Sequence, residues 1–449
     1  MTQTLGHVQK ICGGIPKAWD PTVVYHRVCT DSRGVQPGDL YLALKGDQFD
    51  GNQFAKSALE AGAVAVVMDD SDMSAVPALI VNDGRTALGQ LGAAQRAACE
   101  PVMFAVAGSN GKTSTKDMLA AVLRTRMETL HSEASFNNEI GVPKTLLQLT
   151  DNHRAAVLEL GTNHPGELAP LIKMARPQYG LLTGIGREHL EFFGDLQGVA
   201  QEEGMLAELL PHSGKLFLYG DGVWAKPIAD RSHAPVVTVG FEPENDWVVE
   251  SVNLTPGFTQ FQLRTPGNGV ADFRMPLLGR HQAGNAALAI AAACELGMSL
   301  EEIAQGLMNT PQPRLRMQRR DRGGVLWLND AYNANADSVQ AALSTLENLP
   351  VTGRRFVVLG DMSELGRHTA AAHAEAGVEA ATVADGLVAL GEHAEVTAQA
   401  AQGAGLDVVE LVADAAGAAE CLKEWLQPGD AVLLKASRAA RLEEVEELI

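Results

Sequence analysis

The sequence is poor in the residues that build disulfide or zinc frameworks, and it has no long apolar run. Its five cysteines are dispersed over 449 residues without a Cys-x-x-Cys spacing, which argues against both frameworks and fits a reducing cytoplasm. No apolar stretch approaches the ~20 residues that span a bilayer. The N-terminal MTQTLGHVQKICGG also lacks the apolar core of a signal peptide. We therefore expect a cytoplasmic protein with no integral membrane segment.

Positive charge is scarce as well. The chain carries 35 Lys and Arg against 55 Asp and Glu, which gives a formal net charge of −20. Most of the surface would repel a polyanion, so we expect no nucleic-acid partner. Anionic small molecules remain possible substrates, because basic residues can be concentrated in one cleft.

What the sequence does contain is strands alternating with helices in three blocks. A Glu-Pro step after residue 99 and a proline pair after residue 310 divide it into 1–99, 100–312 and 313–449. In the middle block, continuous apolar runs between helices predict a parallel sheet covered on both faces, with antiparallel strands around 235–278 at one edge. The predicted fold class is α/β. A small N-terminal α/β domain and a C-terminal doubly wound α/β domain would flank the central domain.

A glycine-rich loop, AGSNGKTS, lies between a predicted strand and a predicted helix of the middle block. Backbone N–H groups in such a turn face phosphates, and Gly108 and Gly111 allow conformations that a side chain would obstruct. Lys112 would bridge the β- and γ-phosphates, and the Thr113 hydroxyl would hold Mg2+. The strict phosphate-loop pattern has glycine where Val106 stands, so a glycine-rich turn with a surface lysine is the alternative. The strand before the loop and the helix after it favour ATP binding.

Two polar residues follow neighbouring strands of the same block. Glu159 closes one apolar strand, and His189 comes shortly after another. Because the carboxyl ends of parallel strands meet at one edge of a sheet, both would emerge beside the loop, where a carboxylate suits magnesium. Alone, the glutamate would more often be solvated and the histidine a structural hydrogen-bonding residue. The neighbouring loop favours a metal site.

Further motifs are spread over the whole chain. They are TDSRG and GDLYLALKG in the first block, FNNEIGVP and GRHQAGN in the second, and NDAYNANADS, LGDMSELG and LKASR in the third. Together with the loop, these segments resemble the Mur ligase family. The Tyr-Asn-Ala-Asn core is typical of the branch that adds D-alanyl-D-alanine and distinguishes it from its sister ligases.

The resemblance implies a role for residues in each block. Those expected to bind ATP are Gly108, Ser109, Asn110, Gly111, Lys112, Thr113, Ser114, Asn285, Arg316 and Asp330. Those expected to bind the other substrates are Ser32, Arg33, Asn333, Asn335, Lys435, Ser437 and Arg438. The catalytic set is Lys112, Glu159, His189 and Asn138. Arg314 remains an alternative to Arg316, since Leu315 stands where the family has glycine, and either Asn333 or Asn335 would face the dipeptide.

One position departs from the family. About fourteen residues after the histidine, the family has a lysine that carries a carbamate and helps to hold a second magnesium. Here Glu203 stands at that position, and no lysine lies between Lys173 and Lys215. The expected metal ligands are therefore Thr113, Glu159, His189 and Glu203. Because a glutamate side chain is shorter, Glu203 would act through a backbone shift or a bridging water. A solvated helix residue with no metal role is the alternative.

The implied reaction is an ATP-dependent ligation. ATP phosphorylates the terminal carboxylate of UDP-MurNAc-tripeptide, and the amine of D-alanyl-D-alanine attacks the acyl phosphate. The expected cofactors are ATP and Mg2+, the partners are these two substrates, and a monomer is expected. Three alternatives remain: a sister ligase with another amine, such as folylpolyglutamate synthase, a P-loop nucleotide switch, and a non-catalytic homologue.

Overall fold

The computed structural model describes residues 3–46, 48–70 and 75–449. Three sheets of five, nine and six strands follow one another along this part of the chain. This is the three-part α/β architecture expected from the sequence. None of the helices in the described part of the chain is long and apolar enough to cross a membrane.

The N-terminal sheet has the order β1-β5-β4-β3-β2, with β1 antiparallel and the other neighbours parallel. Its strands are β1 Ile15–Lys17, β2 Val28–Cys29, β3 Leu40–Leu42, β4 Ala65–Met68 and β5 Ala78–Ile80. Its helices are α1 Leu5–Cys12, α2 Ala55–Glu60 and α3 Gly84–Ala98, with 3₁₀ turns at Ser32–Gly34 and Gly51–Phe54. Both faces of β3 and β4 are buried, as expected for parallel strands covered on two sides.

The central sheet begins with the strand before the glycine-rich loop. Its strands are β6 Val102–Ala107, β7 Thr129–His131, β8 Ala155–Glu159, β9 Tyr179–Leu182, β10 Lys215–Tyr219, β11 Val236–Gly240, β12 Trp247–Thr255, β13 Phe258–Arg264 and β14 Val270–Met275. Its helices are α4 Lys112–Leu123, α5 Gly141–Leu146, α6 Leu168–Ala175, α7 Leu190–Phe193, α8 Leu196–Glu203, α9 Met205–Leu209, α10 Ala225–Ala229, α11 Arg280–Glu295 and α12 Leu300–Met308.

The order of this sheet is β14-β13-β12-β11-β10-β9-β6-β8-β7. Pairing is parallel from β7 to β12 and antiparallel from β12 to β14. The expected antiparallel edge is confirmed for β12 to β14 but wrong for β11, which extends the parallel part of the sheet. Helix α4 is buried on all sides between the sheet, α11 and α12, so it holds the end of the loop rigidly.

The C-terminal sheet has the order β15-β16-β20-β17-β18-β19, parallel except for the antiparallel edge strand β15. Its strands are β15 Gln318–Arg322, β16 Val325–Asp330, β17 Arg355–Leu359, β18 Gly386–Leu390, β19 Val409–Val412 and β20 Ala431–Lys435. Its helices are α13 Ala336–Asn348, α14 Thr369–Val383, α15 Ala394–Gly403, α16 Ala415–Trp425 and α17 Glu444–Leu448, with 3₁₀ turns at Gly366–His368 and Arg438–Ala440. Separate apolar clusters cover its two faces, as the doubly wound prediction requires.

Candidate active site

A cleft of about 480 Å³ lies where the carboxyl ends of the central and C-terminal strands face each other. The predicted residues that line it are Ser109, Asn110, Gly111, Lys112, Thr113, Ser114, Glu159, His189, Asn285, Arg316, Asp330, Asn333, Asn335 and Lys435. A second hollow of about 570 Å³ lies on the outer face of β12 to β14 and is lined by none of the predicted residues. The chemistry-bearing residues therefore converge on the first cleft.

Two glycines shape the loop at the floor of the cleft. Gly108 and Gly111 have φ angles of 112° and 84°, in the region that favours glycine. A Cβ on Gly108 would lie 2.5 Å from the Thr183 hydroxyl oxygen, and one on Gly111 would lie 2.5 Å from the amide oxygen of Asn285. The loop is thus pressed against β9 and α11, and Asn285 packs directly on it.

The Lys112 ammonium lies within the loop. Its Nζ donates to the carbonyls of Gly108, at 2.5 Å, and Ser109, at 3.1 Å, and pairs with Glu188 at 3.3 Å. Burial opposes ionisation of Lys112, but the charges of Glu188 and two further carboxylates outweigh it and raise the pKa. The lysine therefore stays protonated, ready to meet an anionic phosphate in place of Glu188.

Glu159 ends β8 inside the cleft and is 1% exposed. Its Oε1 accepts a hydrogen bond from Asn137 at 2.9 Å, and its Oε2 lies 4.0 Å from the Lys116 ammonium. Lys116 itself donates to the carbonyls of Ser132 and Ala134. Oε2 is buried and finds no hydrogen-bond partner among the described residues, so one carboxylate oxygen is left for a ligand of the cleft.

The cleft has two walls, one formed by the central domain and one by the C-terminal domain, and His189 connects them. It precedes α7 with a φ of 49°, a backbone conformation that is costly for a residue other than glycine. Its Nδ1 lies 2.5 Å from the carboxylate of Glu364, which belongs to the C-terminal block. Its Nε2 faces the cleft, 4.0 Å from Glu188. One ring nitrogen is therefore held from outside the central sheet, while the other points towards the phosphate loop.

Glu203 lies at the end of α8 beneath the loop rather than in the lining of the cleft. It is fully buried, and its Oε2 accepts a hydrogen bond from the Gly108 N–H at 2.6 Å. Its Oε1 is buried and finds no partner in the described part of the chain. Burial, with repulsion from Glu188, raises the pKa of Glu203 to about 7. The carboxylate supports the loop directly, and its metal role stays a prediction.

On the opposite wall, the ends of β16 and β20 carry an ion pair. Asp330 and Lys435 are register partners in these parallel strands, and their side chains meet at 2.6 Å. Lys435 also donates to the carbonyl of Asn333 at 2.8 Å. The pairing of two neighbouring strand ends therefore fixes the lysine next to the Tyr-Asn-Ala-Asn segment.

Two side chains of this wall reach across to the central domain. Arg316 donates to the Ser135 hydroxyl at 2.9 Å, and its guanidinium lies 3.9 Å from the centre of the Tyr332 ring. Asn335 donates to the Asn110 side chain of the phosphate loop at 3.0 Å. Of the two arginines considered from the sequence, Arg316 is the one in the lining of the cleft.

Several predicted residues lie outside this lining. The Asn138 side chain accepts from the N–H groups of Ile140 and Gly141 at the start of α5. Ser437 is buried and accepts from the Ser363 N–H, and Arg438 pairs with Glu443. In the N-terminal domain, Ser32 begins a 3₁₀ turn, and Arg33 pairs with Asp31 at the surface. The roles predicted for Asn138, Ser437, Arg438, Ser32 and Arg33 remain predictions.

Four residues that carry no assignment from the sequence are important parts of the site. Glu188 pairs with Lys112, Asn137 donates to Glu159, Lys116 lies 4.0 Å from that carboxylate, and Glu364 holds His189. The first three stand beside assigned positions: Glu188 precedes His189, Asn137 precedes Asn138, and Lys116 lies one helical turn after Lys112. Glu364 stands in the LGDMSELG segment, which is far from His189 in sequence, so no local signal could have revealed the contact.

Within residues 3–46, 48–70 and 75–449, no cluster of three or more His, Cys, Asp or Glu side chains is arranged to hold a metal by itself. The unpartnered Glu159 oxygen fits coordination shared with a nucleotide, since magnesium is commonly bound through one or two carboxylates plus phosphates.

A phosphate loop at the edge of a parallel sheet, facing a doubly wound domain, is typical of an enzyme that binds a nucleoside triphosphate. Three family models match this chain in succession: the Mur ligase family catalytic domain at residues 24–96, the Mur ligase middle domain at 106–293, and the Mur ligase glutamate ligase domain at 315–438. The chain belongs to the Mur ligase family.

Individual relatives indicate which members of the family this chain is similar to. The chain is 36% identical to the UDP-N-acetylmuramoyl-tripeptide--D-alanyl-D-alanine ligase of Escherichia coli K12, over 98% of this chain and 97% of the relative. It matches a crystal structure of MurF from Acinetobacter baumannii with a TM-score of 0.91 and 31% identity, over 100% and 99% of the two chains. It also matches MurF from Thermotoga maritima in complex with ADP, with a TM-score of 0.85 and 26% identity, over 94% and 96%.

Proposed function

We propose that this chain joins D-alanyl-D-alanine to UDP-MurNAc-tripeptide with cleavage of ATP to ADP and phosphate, a step in peptidoglycan precursor synthesis. The near full-length similarity to ligases of that name supports the reaction. The observation in this chain that best supports the same reaction is that the Tyr-Asn-Ala-Asn segment contacts the phosphate loop. Asn335 donates to Asn110 at 3.0 Å.

The arrangement suits transfer of a phosphoryl group followed by transfer of an acyl group. A carboxylate oxygen of the tripeptide attacks the γ-phosphorus of ATP, the bond to ADP breaks, and an acyl phosphate forms. The amine of the dipeptide then attacks the acyl carbon, loses a proton, and expels phosphate. Carboxylate and ATP are both anions, so the protonated Lys112 neutralises charge where they meet.

Magnesium is proposed as the cofactor, held by Thr113, Glu159 and His189 together with nucleotide phosphates. The ion would neutralise the phosphate charge as it develops. The buried Glu159 oxygen without a partner supports this assignment. Glu203 is proposed to supply negative charge near a second ion through its other oxygen, Oε1, by way of a water molecule, because its Oε2 is engaged by the Gly108 N–H.

The remaining assignments follow the order of the domains. The N-terminal domain, 1–99, is proposed to hold the UDP-MurNAc-peptide with Ser32 and Arg33. Domain 100–312 would bind ATP, and domain 313–449 would bind the dipeptide. The substrate-binding residues of this domain are proposed to be Asn333, Asn335, Lys435, Ser437 and Arg438, with Asn333 or Asn335 facing the dipeptide. We propose a cytoplasmic monomer, and Asn138 is kept in the proposed catalytic set.

The test is phosphate release from ATP with UDP-MurNAc-tripeptide and a panel of amines, followed by mass spectrometry of the product. We expect release to require D-alanyl-D-alanine and the product to be UDP-MurNAc-pentapeptide. Release supported equally by other amines would indicate a sister ligase. Release that is indifferent to any amine would indicate a nucleotide switch instead.

A further inference from the structure

The loop after β17 docks on the short helix that follows His189. The backbone N–H of Glu191 donates to the carbonyl of Glu364 at 3.1 Å. Gly366 packs so closely on this helix that an added Cβ would lie 3.2 Å from the Cα of Glu191. Arg367 extends the contact by donating to the carbonyl of Gly194. A defined piece of the C-terminal domain therefore rests on the segment that carries the histidine.

This docking brings a carboxylate to the outer nitrogen of the imidazole ring. Glu364 Oε2 lies 2.5 Å from His189 Nδ1. Both residues have positive φ angles, 61° for Glu364 and 49° for His189. Such conformations in residues other than glycine persist only where their surroundings impose them. The contact is therefore built by two strained turns that meet from different domains.

The inner nitrogen of the ring is left for the cleft. In the neutral tautomer whose Nδ1–H donates to this carboxylate, Nε2 is the nitrogen that can act as a ligand. It points towards Glu188, 4.0 Å away, and so towards the pocket of Lys112. A carboxylate on the far side of a metal-binding histidine fixes the tautomer, orients the ring and increases its basicity.

We propose that Glu364 is a positioning residue that orients His189 as a ligand for the divalent cation of the nucleotide. The inference rests on the metal role of His189 in the proposed function. Its consequence is that the metal site is complete only when the C-terminal domain is docked. Because that domain also carries the proposed dipeptide site, binding of the amine substrate and ordering of the cation become coupled.

A second bridge between the same domains provides a matched control. Arg187, two residues before His189, pairs with Glu375 of α14 at 2.6 Å and with Asp337 at 2.6 Å. Loss of Glu375 removes one charged contact between the domains without touching the imidazole. A general effect of weaker docking would therefore appear in both variants, whereas an effect on the histidine would appear only in Glu364 variants.

The experiment uses the full chain, Mn2+ as the probe, and a non-hydrolysable ATP analogue. Pulsed electron paramagnetic resonance detects nitrogen from a histidine bound to Mn2+, and a titration gives the Mn2+ concentration at half-saturation. We expect a nitrogen signal in the native protein that is lost in His189→Ala. We expect Glu364→Ala to raise the half-saturating Mn2+ about tenfold. The half-saturating Mn2+ concentration of Glu364→Gln, which keeps a hydrogen-bond acceptor, should lie between those of the native protein and Glu364→Ala. That of Glu375→Ala should equal that of the native protein.

The outcomes separate this inference from the metal assignment. If the nitrogen signal depends on His189 but Glu364→Ala behaves as the native protein, the positioning role is refuted and the metal role survives. If Glu364→Ala and Glu375→Ala weaken Mn2+ binding equally, the contact serves docking alone, and the inference is again refuted. If His189→Ala leaves the signal unchanged, the metal role of His189 fails, and this inference fails with it. Thermal unfolding confirms that each variant is folded, and the isosteric Gln variant provides the test should the Ala variant not fold.

Discussion

The two walls of the cleft come from sheets of the same kind but hold their polar side chains differently. On the central wall, Lys112 pairs with Glu188 and Glu159 accepts from Asn137, all within a single domain. On the C-terminal wall, an ion pair with Asp330 anchors Lys435. Arg316 and Asn335 of the same wall instead form hydrogen bonds with the central domain. The phosphate-loop part of the central wall is thus preformed within one domain, whereas the C-terminal wall, and with it the orientation of His189, depends on the docking of two domains.

This difference suggests a division of labour. A preorganised phosphate site costs little to reorganise during phosphoryl transfer. A wall that docks from another domain can admit a substrate and then close over it. We therefore expect changes on the central wall to affect the chemical step, and changes on the C-terminal wall to affect mainly the apparent affinity for substrates.

The largest effect is expected from replacing Lys112, which lies in the phosphate loop of the central wall. Lys112→Ala removes the only ammonium placed inside the phosphate loop in the described structure, and we expect kcat to fall about 10²–10³-fold. Phosphate release at saturating substrates measures the change. Lys215→Ala is the control, because Lys215 pairs with Glu295 away from the cleft, and it should stay near the native rate. A larger change in KM than in kcat would contradict the division proposed here.

A smaller effect is expected from replacing Arg316, which reaches from the C-terminal wall to the central domain. Arg316→Ala loses the bond to Ser135 and the stacking on Tyr332, and we expect KM for ATP to rise about tenfold with little change in kcat. Charged hydrogen bonds contribute roughly 1.5–3 kcal/mol, and about 1.4 kcal/mol corresponds to a tenfold change, so tenfold is the lower end of the expected range. Arg314→Ala should leave KM unchanged, since Arg314 does not line the cleft. Equal effects of the two variants would reopen the choice between these arginines.

The smallest effect is expected from replacing Glu203, which lies beneath the phosphate loop. Glu203→Gln keeps an acceptor for the Gly108 N–H but removes the charge, so we expect unchanged thermal stability and a severalfold higher Mg2+ requirement, up to about tenfold. Turnover measured against Mg2+ concentration gives the shift, and bicarbonate should not stimulate the native enzyme. An unchanged Mg2+ requirement would leave Glu203 as a support of the loop alone. In Glu203→Ala, the loss of that acceptor should also lower stability by about 1–3 kcal/mol.

The sequence predicted the parts of the site that are contiguous or periodic. The phosphate loop, the apolar strands before Glu159 and His189, and the doubly wound C-terminal block could be read locally, because turn chemistry and burial leave short-range patterns. The error at β11 has the same origin. Strand direction depends on which neighbour a strand pairs with, and that neighbour is set by the fold rather than by the strand itself.

Family membership, the phosphate loop and the three-part α/β architecture were thus determined by the sequence alone. Only the tertiary structure decided how the polar groups pair. It placed Asn137 rather than Asn138 in the cleft, Glu203 under Gly108, and Glu364 on His189 across 175 residues of chain. The reason is physical: a buried polar group must find a partner wherever the packing of domains supplies one. That partner leaves no trace in the residues on either side of it.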